Sequence, residues 1–258
     1  MFLAEGPQAV KEALGSAGQP GRLGQARAIR ELFVTKAARS RHADLVAAVA
    51  ATGAPVSEIS GDLMAELAQT VTPQGLLAVC PFIDVPLAEL ASKEPRLVVV
   101  LANVRDPGNA GTVLRTADAA GADGVIFADA SVDPYNSKCV RSSAGSLFHL
   151  PIALGVRVTD AVAALRGAGL AVFAADGSAT LGLEDRDLAG RLAQPTAWLF
   201  GNEAWGLPAD LAALADDRVA VPIYGLAESL NLAAAAAVCL YASARAQHGG
   251  CRSAPMTR

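Results

Sequence analysis

The stretch NVRDPGNAGTVLRTADAAG, Asn103–Gly121, decides the fold because of the two apolar runs around it. RLVVVLA precedes it and DGVIFA follows closely, so the chain is predicted to pass from a strand through a polar loop and a helix into a second strand. The loop carries two asparagines, an arginine, an aspartate and a proline, and Arg115 is placed about one turn into the helix. Polar loops that follow buried strands often carry function, so this stretch is a candidate site.

Composition favours one large or two modest globular domains with an aliphatic, alanine-rich core. The chain has 258 residues, of which 52% are hydrophobic and 5% aromatic. A formal charge of -4 excludes a polycation, so contact with nucleic acid requires a local basic patch. The cysteines and histidines lack metal-ligand spacing and no signal peptide is evident, which favours a reduced, cytoplasmic protein without a metal. The most apolar stretch, LAAAAAVCLYA, is shorter than the ~20 residues that span a bilayer, so no membrane segment is expected.

Short strands alternate with helices along the whole sequence. In residues 1–82 the predicted helices are GPQAVKEAL, HADLVAAVAATG and GDLMAELAQT, and the predicted strands are IRELFVT, PVSEIS and GLLAVCPF. From residue 96 the predicted strands are LVVVLANV, GVIFA, LPIAL, LAVFAA, TAWLFG and RVAVPI. They alternate with the predicted helices GTVLRTADAAG, Asn136–Phe148, VTDAVAALRGAG, LPADLAALADD and SLNLAAAAAVCLYASARAQ. This α/β pattern predicts a parallel sheet covered on both faces, with residues 83–95 as a linker and 248–258 as a flexible tail.

Three strand-ending loops are chemically rich. They are the opening stretch, FGNEAWGLP (Phe200–Pro208) and VPIYGLAESLN (Val221–Asn231). Ligands of open parallel sheets bind at the carboxyl ends of the strands, so we expect the three loops on one rim. DPGNAGTV lacks the G-x-G-x-x-G fingerprint and no P-loop occurs, which disfavours nucleotide phosphate binding. A nicotinamide-dependent dehydrogenase stays open as an alternative, and tight binding of NAD would favour it.

Together the three loops resemble the three motifs of the SpoU (TrmH-like) family of RNA ribose 2′-O-methyltransferases, in the family's order. NSKCVRSSAGSLFHLP is similar to the family's stretch between the first and second motifs, and the match runs from Leu97 to Tyr241. The N-terminal region, from FLAEGPQAVKEAL to QGLLAV, resembles an RNA-binding domain with a ribosomal-protein fold. The resemblance implies a small α/β RNA-binding domain at 1–82, followed by a parallel-sheet domain with a trefoil knot at 96–247. It also implies a homodimer packed through the third-motif helix.

The implied reaction is transfer of a methyl group from S-adenosylmethionine to a ribose 2′-hydroxyl. This hydroxyl is barely ionised at neutral pH, so the enzyme must align it, help to remove its proton and stabilise the negative charge that develops. The residues that match the motifs as catalytic are Asn109, Arg115, Arg141, Glu203, Ser229 and Asn231. Those that match as cofactor contacts are Gly201, Val221, Ile223 and Leu230.

The resemblance also implies a role for each polar group. Arg115 matches the first-motif arginine; we expect it to hold phosphate and polarise the hydroxyl, with action as the general base left open. Arg141 matches an arginine that reaches the active site across the dimer in related enzymes. Asn109 is expected to cap its helix and to hold Arg115 or the substrate, and Glu203 to hydrogen-bond to Asn109 or to neighbouring backbone. Trp205 stands where the family often has a smaller residue, which leaves the shape of its loop open.

Plainer interpretations exist for the same residues. Arg115 and Arg141 are compatible with solvated surface arginines, and Glu203 with a surface turn. Ser229 and Asn231 precede an apolar helix and are compatible with simple capping.

RNA binding is predicted from a basic strip at Arg22–Arg41, which has six basic residues against one acid. Such a strip suits phosphate contacts, which set affinity and not sequence choice. Its members are Arg22, Arg27, Arg30, Lys36, Arg39 and Arg41. The extra N-terminal domain favours 23S ribosomal RNA as the substrate. A tRNA methyltransferase and a non-catalytic RNA-binding or ribosome-assembly protein stay as alternatives, as does the choice between a housekeeping and an antibiotic-resistance role.

Overall fold

The computed structural model describes residues 1–16 and 29–249, so Arg22, Arg27 and nearly all of the predicted tail lie outside the described residues. The chain forms two compact units. The first combines the described residues of Met1–Asp84 with Asp106–Arg115 and Val132–Ile152. The second combines Val85–Arg105 with Thr116–Ser131 and the chain from Ala153 onward.

The first unit begins with a small mixed sheet and its helices. The strands are β1 (Phe2–Glu5), β2 (Glu31–Val34), β3 (Val56–Glu58) and β4 (Leu76–Cys80). The helices are α1 (Pro7–Ser16), α2 (Lys36–Arg41), α3 (Ala43–Ala51) and α4 (Gly61–Ala68). The sheet order is β1-β4-β2-β3, with β4 antiparallel to both neighbours and β2 parallel to β3. The Thr35 and Ser60 hydroxyls accept hydrogen bonds from the amides of Ala38 and Leu63, which is why α2 and α4 begin so soon after β2 and β3.

The rest of the chain builds a seven-stranded sheet in the order β7-β6-β5-β10-β8-β11-β9. The strands are β5 (Leu97–Ala102), β6 (Gly124–Ala128), β7 (Ile152–Val156), β8 (Ala171–Ala175), β9 (Leu181–Gly182), β10 (Thr196–Phe200) and β11 (Asp217–Ala220). The helices are α5 (Leu87–Ala91), α6 (Pro107–Ala119), α7 (Ser137–Ser142), α8 (Val158–Gly167), α9 (Arg186–Leu192), α10 (Ala209–Ala212) and α11 (Leu232–His248).

Parallel pairing explains the apolar strands. The pairs β5–β6, β5–β10, β8–β10, β8–β11 and β9–β11 are all parallel. Every residue of β5, β6 and β10 is buried, as expected for strands covered on both faces. The predicted α/β class is confirmed: a small N-terminal sheet is followed in the chain by a C-terminal parallel sheet. The trefoil knot stays a prediction.

The segment 83–95, predicted as a linker, has ordered contacts at its start and a short helix in its middle. The amides of Ile83 and Asp84 donate to the Tyr135 hydroxyl oxygen at 2.8 Å within the first unit. In the second unit α5 buries Leu90 to 1% exposure among the aliphatic side chains of the sheet core. The prolines and charges of this segment therefore surround a short packed helix.

One predicted helix is broken. The sequence pattern indicated a single helix over Asn136–Phe148, but α7 ends at Ser142 and a separate 3-10 turn occupies Ser146–Phe148. Ala144 and Gly145 between them have positive φ angles of 49° and 99°, which no α-helix accommodates. The helix predicted at LPADLAALADD is also shorter, since α10 covers only Ala209–Ala212.

None of the helices in residues 1–16 and 29–249 combines the length and apolar character that a bilayer crossing requires. Within the same residues, no cluster of three histidine, cysteine, aspartate or glutamate side chains is arranged to hold a metal ion.

Candidate active site and cofactor cavity

Asp106 organises the start of α6 in the first unit. Its Oδ1 accepts the backbone N–H of Asn109 at 2.7 Å, and its Oδ2 accepts Nζ of Lys138 at 2.7 Å. The hydrogen bond from Lys138 is the largest cause that lowers the pKa of the Asp106 carboxyl, followed by the bond from the Asn109 amide. The prediction that Asn109 caps the helix is therefore wrong. Asp106 is the cap, and Asn109 lies in the first turn.

The same end of α6 packs closely on α7. A Cβ at Gly111 would lie 2.4 Å from the Cys139 carbonyl oxygen and 2.0 Å from Oγ of Ser142, so only glycine fits there. Oγ of Ser142, whose shortest hydrogen bond is to the Lys138 carbonyl oxygen at 2.9 Å, also lies 3.3 Å from the Pro107 carbonyl oxygen. These contacts hold the first turns of α6 against α7.

Arg115 projects from α6 with an exposed side chain. The helix begins at Pro107 and not at Gly111, so Arg115 lies more than two turns into it, and the predicted position of one turn is wrong. An exposed guanidinium on a fixed helix can meet an incoming anion without a large desolvation cost.

Arg141 is half-buried on α7, and its Nη1 donates to the carbonyl oxygen of Ala68 at 3.2 Å. Ala68 is the last residue of α4, where the unpaired carbonyls and the helix dipole favour a cation. Within the first unit, Arg141 therefore joins α7 to α4. Its predicted reach across a dimer stays a prediction.

Of the described members of the basic strip, Lys36, Arg39 and Arg41 lie on α2 and Arg30 directly precedes β2, all in the first unit. Arg30, Lys36 and Arg41 are exposed, whereas Nε of Arg39 lies 3.1 Å from a carboxylate oxygen of Glu58. A cavity of about 740 Å³ opens beside them, with Lys36 and Arg41 in its wall. Because Arg39 is paired with an acid, the exposed Arg30, Lys36 and Arg41 are the more available cations of the strip for phosphate.

In the second unit, the loop after β10 forms a rigid turn. Asn202 and Gly206 exchange two backbone hydrogen bonds of 2.9 Å. The Asn202 side chain accepts the Ala204 amide at 2.8 Å and donates to the Asn103 carbonyl oxygen at 2.8 Å. A Cβ at Gly201 would lie 2.4 Å from the Gly206 carbonyl carbon, so the backbone must approach itself closely here.

Glu203 occupies this turn with an exposed side chain. Its Oε2 accepts the backbone N–H of Arg105 at 3.2 Å. The beginning of the loop after β5 is thereby tied to the loop after β10 at two points, Arg105 and Asn103. The sequence suggested Asn109 or neighbouring backbone as the partner of Glu203, and the Arg105 amide is a backbone partner of this kind.

A cavity of about 450 Å³ opens in the second unit, where the loops after β8, β10 and β11 meet the start of α11. Seven of the residues singled out from the sequence line it together: Gly201, Glu203, Val221, Ile223, Ser229, Leu230 and Asn231. Oδ1 of Asn231 also caps α11 by accepting the Ala233 amide at 2.9 Å, so the capping and site interpretations of this residue are compatible. Apolar walls and polar groups in a concave space are typical of small-molecule sites.

Sequence reasoning missed Asp176 in the wall of this cavity. Asp176 follows β8 directly, and a carboxylate at the end of a buried strand was a usable signal. It pairs with Arg218, whose Nη1 lies 3.3 Å from Oδ2, and it accepts hydrogen bonds from Ser178. Lys138 and Asp106 were also missed, although an aspartate directly before a proline is a recognised helix start.

A second, more apolar depression of about 990 Å³ lies along α11 in the same unit. Its wall includes Leu230, Val238 and Tyr241, which are 41%, 43% and 52% exposed. An apolar patch of this kind on a helix face marks an interaction surface.

Comparison with known proteins matched both parts of the chain. The family model described as SpoU rRNA Methylase matches residues 96–241, and that described as RNA 2′-O ribose methyltransferase substrate binding matches residues 3–85. The 23S rRNA (guanosine(2553)-2′-O)-methyltransferase RlmP of Bacillus subtilis is 35% identical over 93% of this chain and 87% of its own length.

Solved structures give the same result. The SpoU methyltransferase AviRb from Streptomyces viridochromogenes, in complex with the cofactor AdoMet, superposes with a TM-score of 0.79 at 32% identity, covering 96% of this chain and 91% of that one. An AdoMet-bound rRNA methyltransferase from Sinorhizobium meliloti superposes with a TM-score of 0.75 at 32% identity, covering 95% and 86%.

Proposed function

Because the chain belongs to the SpoU rRNA methylase family, we propose that it transfers a methyl group from S-adenosylmethionine to a ribose 2′-hydroxyl of 23S ribosomal RNA. The observation that carries the proposal is the cavity in which the second and third motifs meet, lined by seven of the residues predicted for the site. The 23S rRNA named for the relative from Bacillus subtilis supports ribosomal RNA over tRNA. A ribosomal RNA substrate also supports a cytoplasmic location for the protein.

The cavity fits S-adenosylmethionine. Val221, Ile223 and Leu230 supply aliphatic walls for an adenine ring, and the tight backbone at Gly201 leaves amide and carbonyl groups within reach of its edge. The carboxylates of Asp176 and Glu228 face the same space and can accept hydrogen bonds from hydroxyl or ammonium groups. When bound there, the cofactor supplies an electrophilic methyl group on a sulfonium sulfur.

The chain's own residues prepare the nucleophile. We assign to Arg115 the binding of a substrate phosphate and the stabilisation of the oxyanion that forms at the 2′-oxygen. A guanidinium hardly deprotonates in proteins, so charge stabilisation is favoured over action as the general base. Asn109, held in the first turn of α6 by Asp106, is assigned to orient Arg115 or the substrate. Arg141 keeps its assignment as an arginine that acts across a dimer.

Residues of the second unit are assigned to position the motif loops and the cofactor. Glu203, anchored on the Arg105 amide, is assigned to hold the first and second motif loops in register. Ser229 and Asn231 lie in the cavity wall and are assigned to position the cofactor's polar groups. The cap that Asn231 makes on α11 fixes its amide and so favours this role.

RNA affinity and assembly complete the proposal. The basic strip, foremost Lys36 and Arg41, would contact phosphates of the substrate, with Arg22 and Arg27 among its members outside the described residues. The exposed apolar residues of α11, including Val238 and Tyr241, would pack in a homodimer. The methyltransferase domain at 96–247 would carry the family's trefoil knot.

The test uses purified protein, methyl-labelled S-adenosylmethionine, and separated 23S, 16S and transfer RNAs, followed by alkaline hydrolysis. Alkaline cleavage requires a free 2′-hydroxyl, so ribose methylation leaves the label in an uncut dinucleotide. We expect that product from 23S RNA. Label in single nucleotides would mean base methylation, and no label on any RNA, including intact subunits, would favour a non-catalytic binding protein.

Arg115→Ala tests the catalytic assignment in the same assay, and we expect a loss of about a hundredfold or more in rate. Arg157→Ala is the matched control, because Arg157 is also an exposed arginine, pairs with Asp160 and lies outside the three motifs. An unchanged rate in Arg115→Ala would remove Arg115 from the mechanism.

A further inference from the structure

Trp205 is an exposed indole that neither the core nor the cofactor cavity explains. The chain has two tryptophans; Trp198 is fully buried, whereas Trp205 is 61% exposed. Its neighbours Ala204 and Gly206 line the 450 Å³ cavity, but Trp205 is not part of that wall. The ring therefore stands at the rim, beside the cavity and two residues after Glu203.

The turn that carries the indole is rigid. The paired backbone bonds of Asn202 and Gly206 and the two side-chain bonds of Asn202 fix it from within and to the loop after β5. A large apolar ring on a fixed turn cannot reduce its exposure by collapse of the loop. Such a preorganised aromatic surface is typical of a binding contact.

We propose that Trp205 stacks on an unpaired base of the RNA substrate, at the methylated nucleotide or directly beside it. This inference rests on the proposed function and adds the means by which the target strand is held. RNA-binding proteins recognise splayed bases by stacking them on aromatic side chains. Two residues span at most about 7 Å, so a ribose near Glu203 brings its own base or the adjacent one within reach of the indole.

The chemistry of the ring predicts what the contact contributes. Stacking tolerates every base because each has a π-face, so Trp205 adds affinity for an unstacked strand and not sequence choice. The cofactor does not require the ring, since Ala204 and Gly206 line the cavity and Trp205 does not. Loss of the ring should therefore weaken RNA binding and leave cofactor binding intact.

Fluorescence tests the contact directly, because Trp198 is shielded and Trp205 is the tryptophan open to a soluble quencher such as acrylamide. With protein-free 23S ribosomal RNA, we expect the emission of Trp205 to fall and its quenching by acrylamide to decrease. Trp205→Phe reports Trp198 alone and should show neither change. Protection of the indole by S-adenosylmethionine without RNA, or an indole already inaccessible in the free protein, would overturn the inference.

Kinetics with two substitutions separates stacking from apolar bulk. Trp205→Leu keeps an apolar side chain without a π-face, and we expect its KM for RNA to rise about tenfold or more. Trp205→Phe keeps a ring, so its KM should rise by a smaller factor. The affinity for S-adenosylmethionine should stay the same in both, which shows that the fold is intact. A KM in Trp205→Leu equal to that of the wild type would reject the stacking role.

The two proposals fail in different ways. If the wild-type protein methylates no RNA but RNA still protects Trp205 from acrylamide, the proposed function fails and the stacking contact stands. If methylation proceeds while Trp205 stays accessible in the presence of RNA, the proposed function stands and the stacking contact fails.

Discussion

The start of α6 carries part of the first motif and the loop before α11 carries part of the third, and the two segments are held in opposite ways. The first turns of α6 are capped by Asp106, paired to Lys138 and packed through Gly111 on α7. From Ile223 to Asn231 the other loop is exposed at every residue. The contrast is between a helix start fixed by its contacts and a loop that is open to solvent. Under the proposed function, Arg115 would act from the fixed helix, whereas the open loop would close on the cofactor.

Substitution of Gly111, at the fixed start of α6, should have the largest effect on stability. A methyl group in Gly111→Ala would collide with the Cys139 carbonyl oxygen and Ser142, so we expect a loss of about 3 kcal/mol in the free energy of unfolding, with loss of methylation. Urea unfolding measures it. Gly167→Ala, in a helix with open space around the new methyl, is the control and should stabilise by about 0.5 kcal/mol. Equal stability of the two variants would show that the α6–α7 contact is not tight.

Truncation of an aliphatic side chain in the open loop should weaken ligand binding and leave the stability of the fold unchanged. Ile223 is 38% exposed and lines the cavity, so Ile223→Ala should weaken S-adenosylmethionine binding by about 1 kcal/mol. Calorimetric titration measures the affinity, and the unfolding midpoint of the free protein should hardly change. Val71→Ala, at a residue that is 97% exposed and not part of this wall, is the control. An unchanged affinity in Ile223→Ala would place the cofactor elsewhere.

The ion pair at the start of α6 gives a smaller, pH-dependent effect. Its exposure limits the contribution of the Asp106–Lys138 pair to about 0.5 kcal/mol, so Lys138→Met should lower the free energy of unfolding by that amount at neutral pH. The folded state lowers the pKa of Asp106. The contribution is therefore present above the ordinary carboxyl pKa of about 4 and lost as pH falls through the lowered value.

Urea titrations of both proteins from neutral to acid pH measure this difference. We expect the two stability curves to converge at the acid end. Lys93→Met removes a comparable exposed pair with Glu89 on α5 and serves as the control for loss of a lysine. Curves that stay parallel down to the acid end would mean that Asp106 does not stabilise the helix through its charge.

The smallest effect is expected in the exposed loop itself. Leu226 is fully exposed, so Leu226→Ala should change the free energy of unfolding by less than about 0.5 kcal/mol. Hydrogen exchange sharpens the comparison, because S-adenosylmethionine should slow exchange of the loop amides while those at the start of α6 are already slow. Slow exchange of the loop without ligand would contradict its open character.

The sequence predicted most strands and helices because each follows a local pattern. Runs such as LVVVLA and GVIFA are buried along their whole length, and the periodicity shows that directly. The cap of α6 was misassigned although the signal was present: Pro107 suits the first helical position, which makes Asp106 the cap. The break at Ala144 and Gly145 depends on a positive φ at an alanine, which no local pattern announces.

The sequence singled out seven residues that line one cavity, but not the contacts that hold them there. The motifs identified seven residues of the cavity wall, because their order and spacing match the family. The anchoring of Glu203 on the Arg105 amide joins residues 98 positions apart, and such a contact follows from the pairing of distant strands. Asp176 was missed although it directly follows the predicted strand β8; only the folded sheet, which pairs β8 with β10, shows that its loop lies beside the second motif.

The late strand β10 has a consequence for how the protein is made. It lies between β5 and β8 in the sheet. Its first residue, Thr196, pairs with Leu97, which comes much earlier in the chain. A growing polypeptide must therefore keep the edge of β5 unpaired until the later strand has been synthesised. Contacts between such distant positions slow folding and leave an exposed strand edge in the meantime. Assembly of the sheet centre, and not of its rims, is expected to limit the rate at which new chains mature.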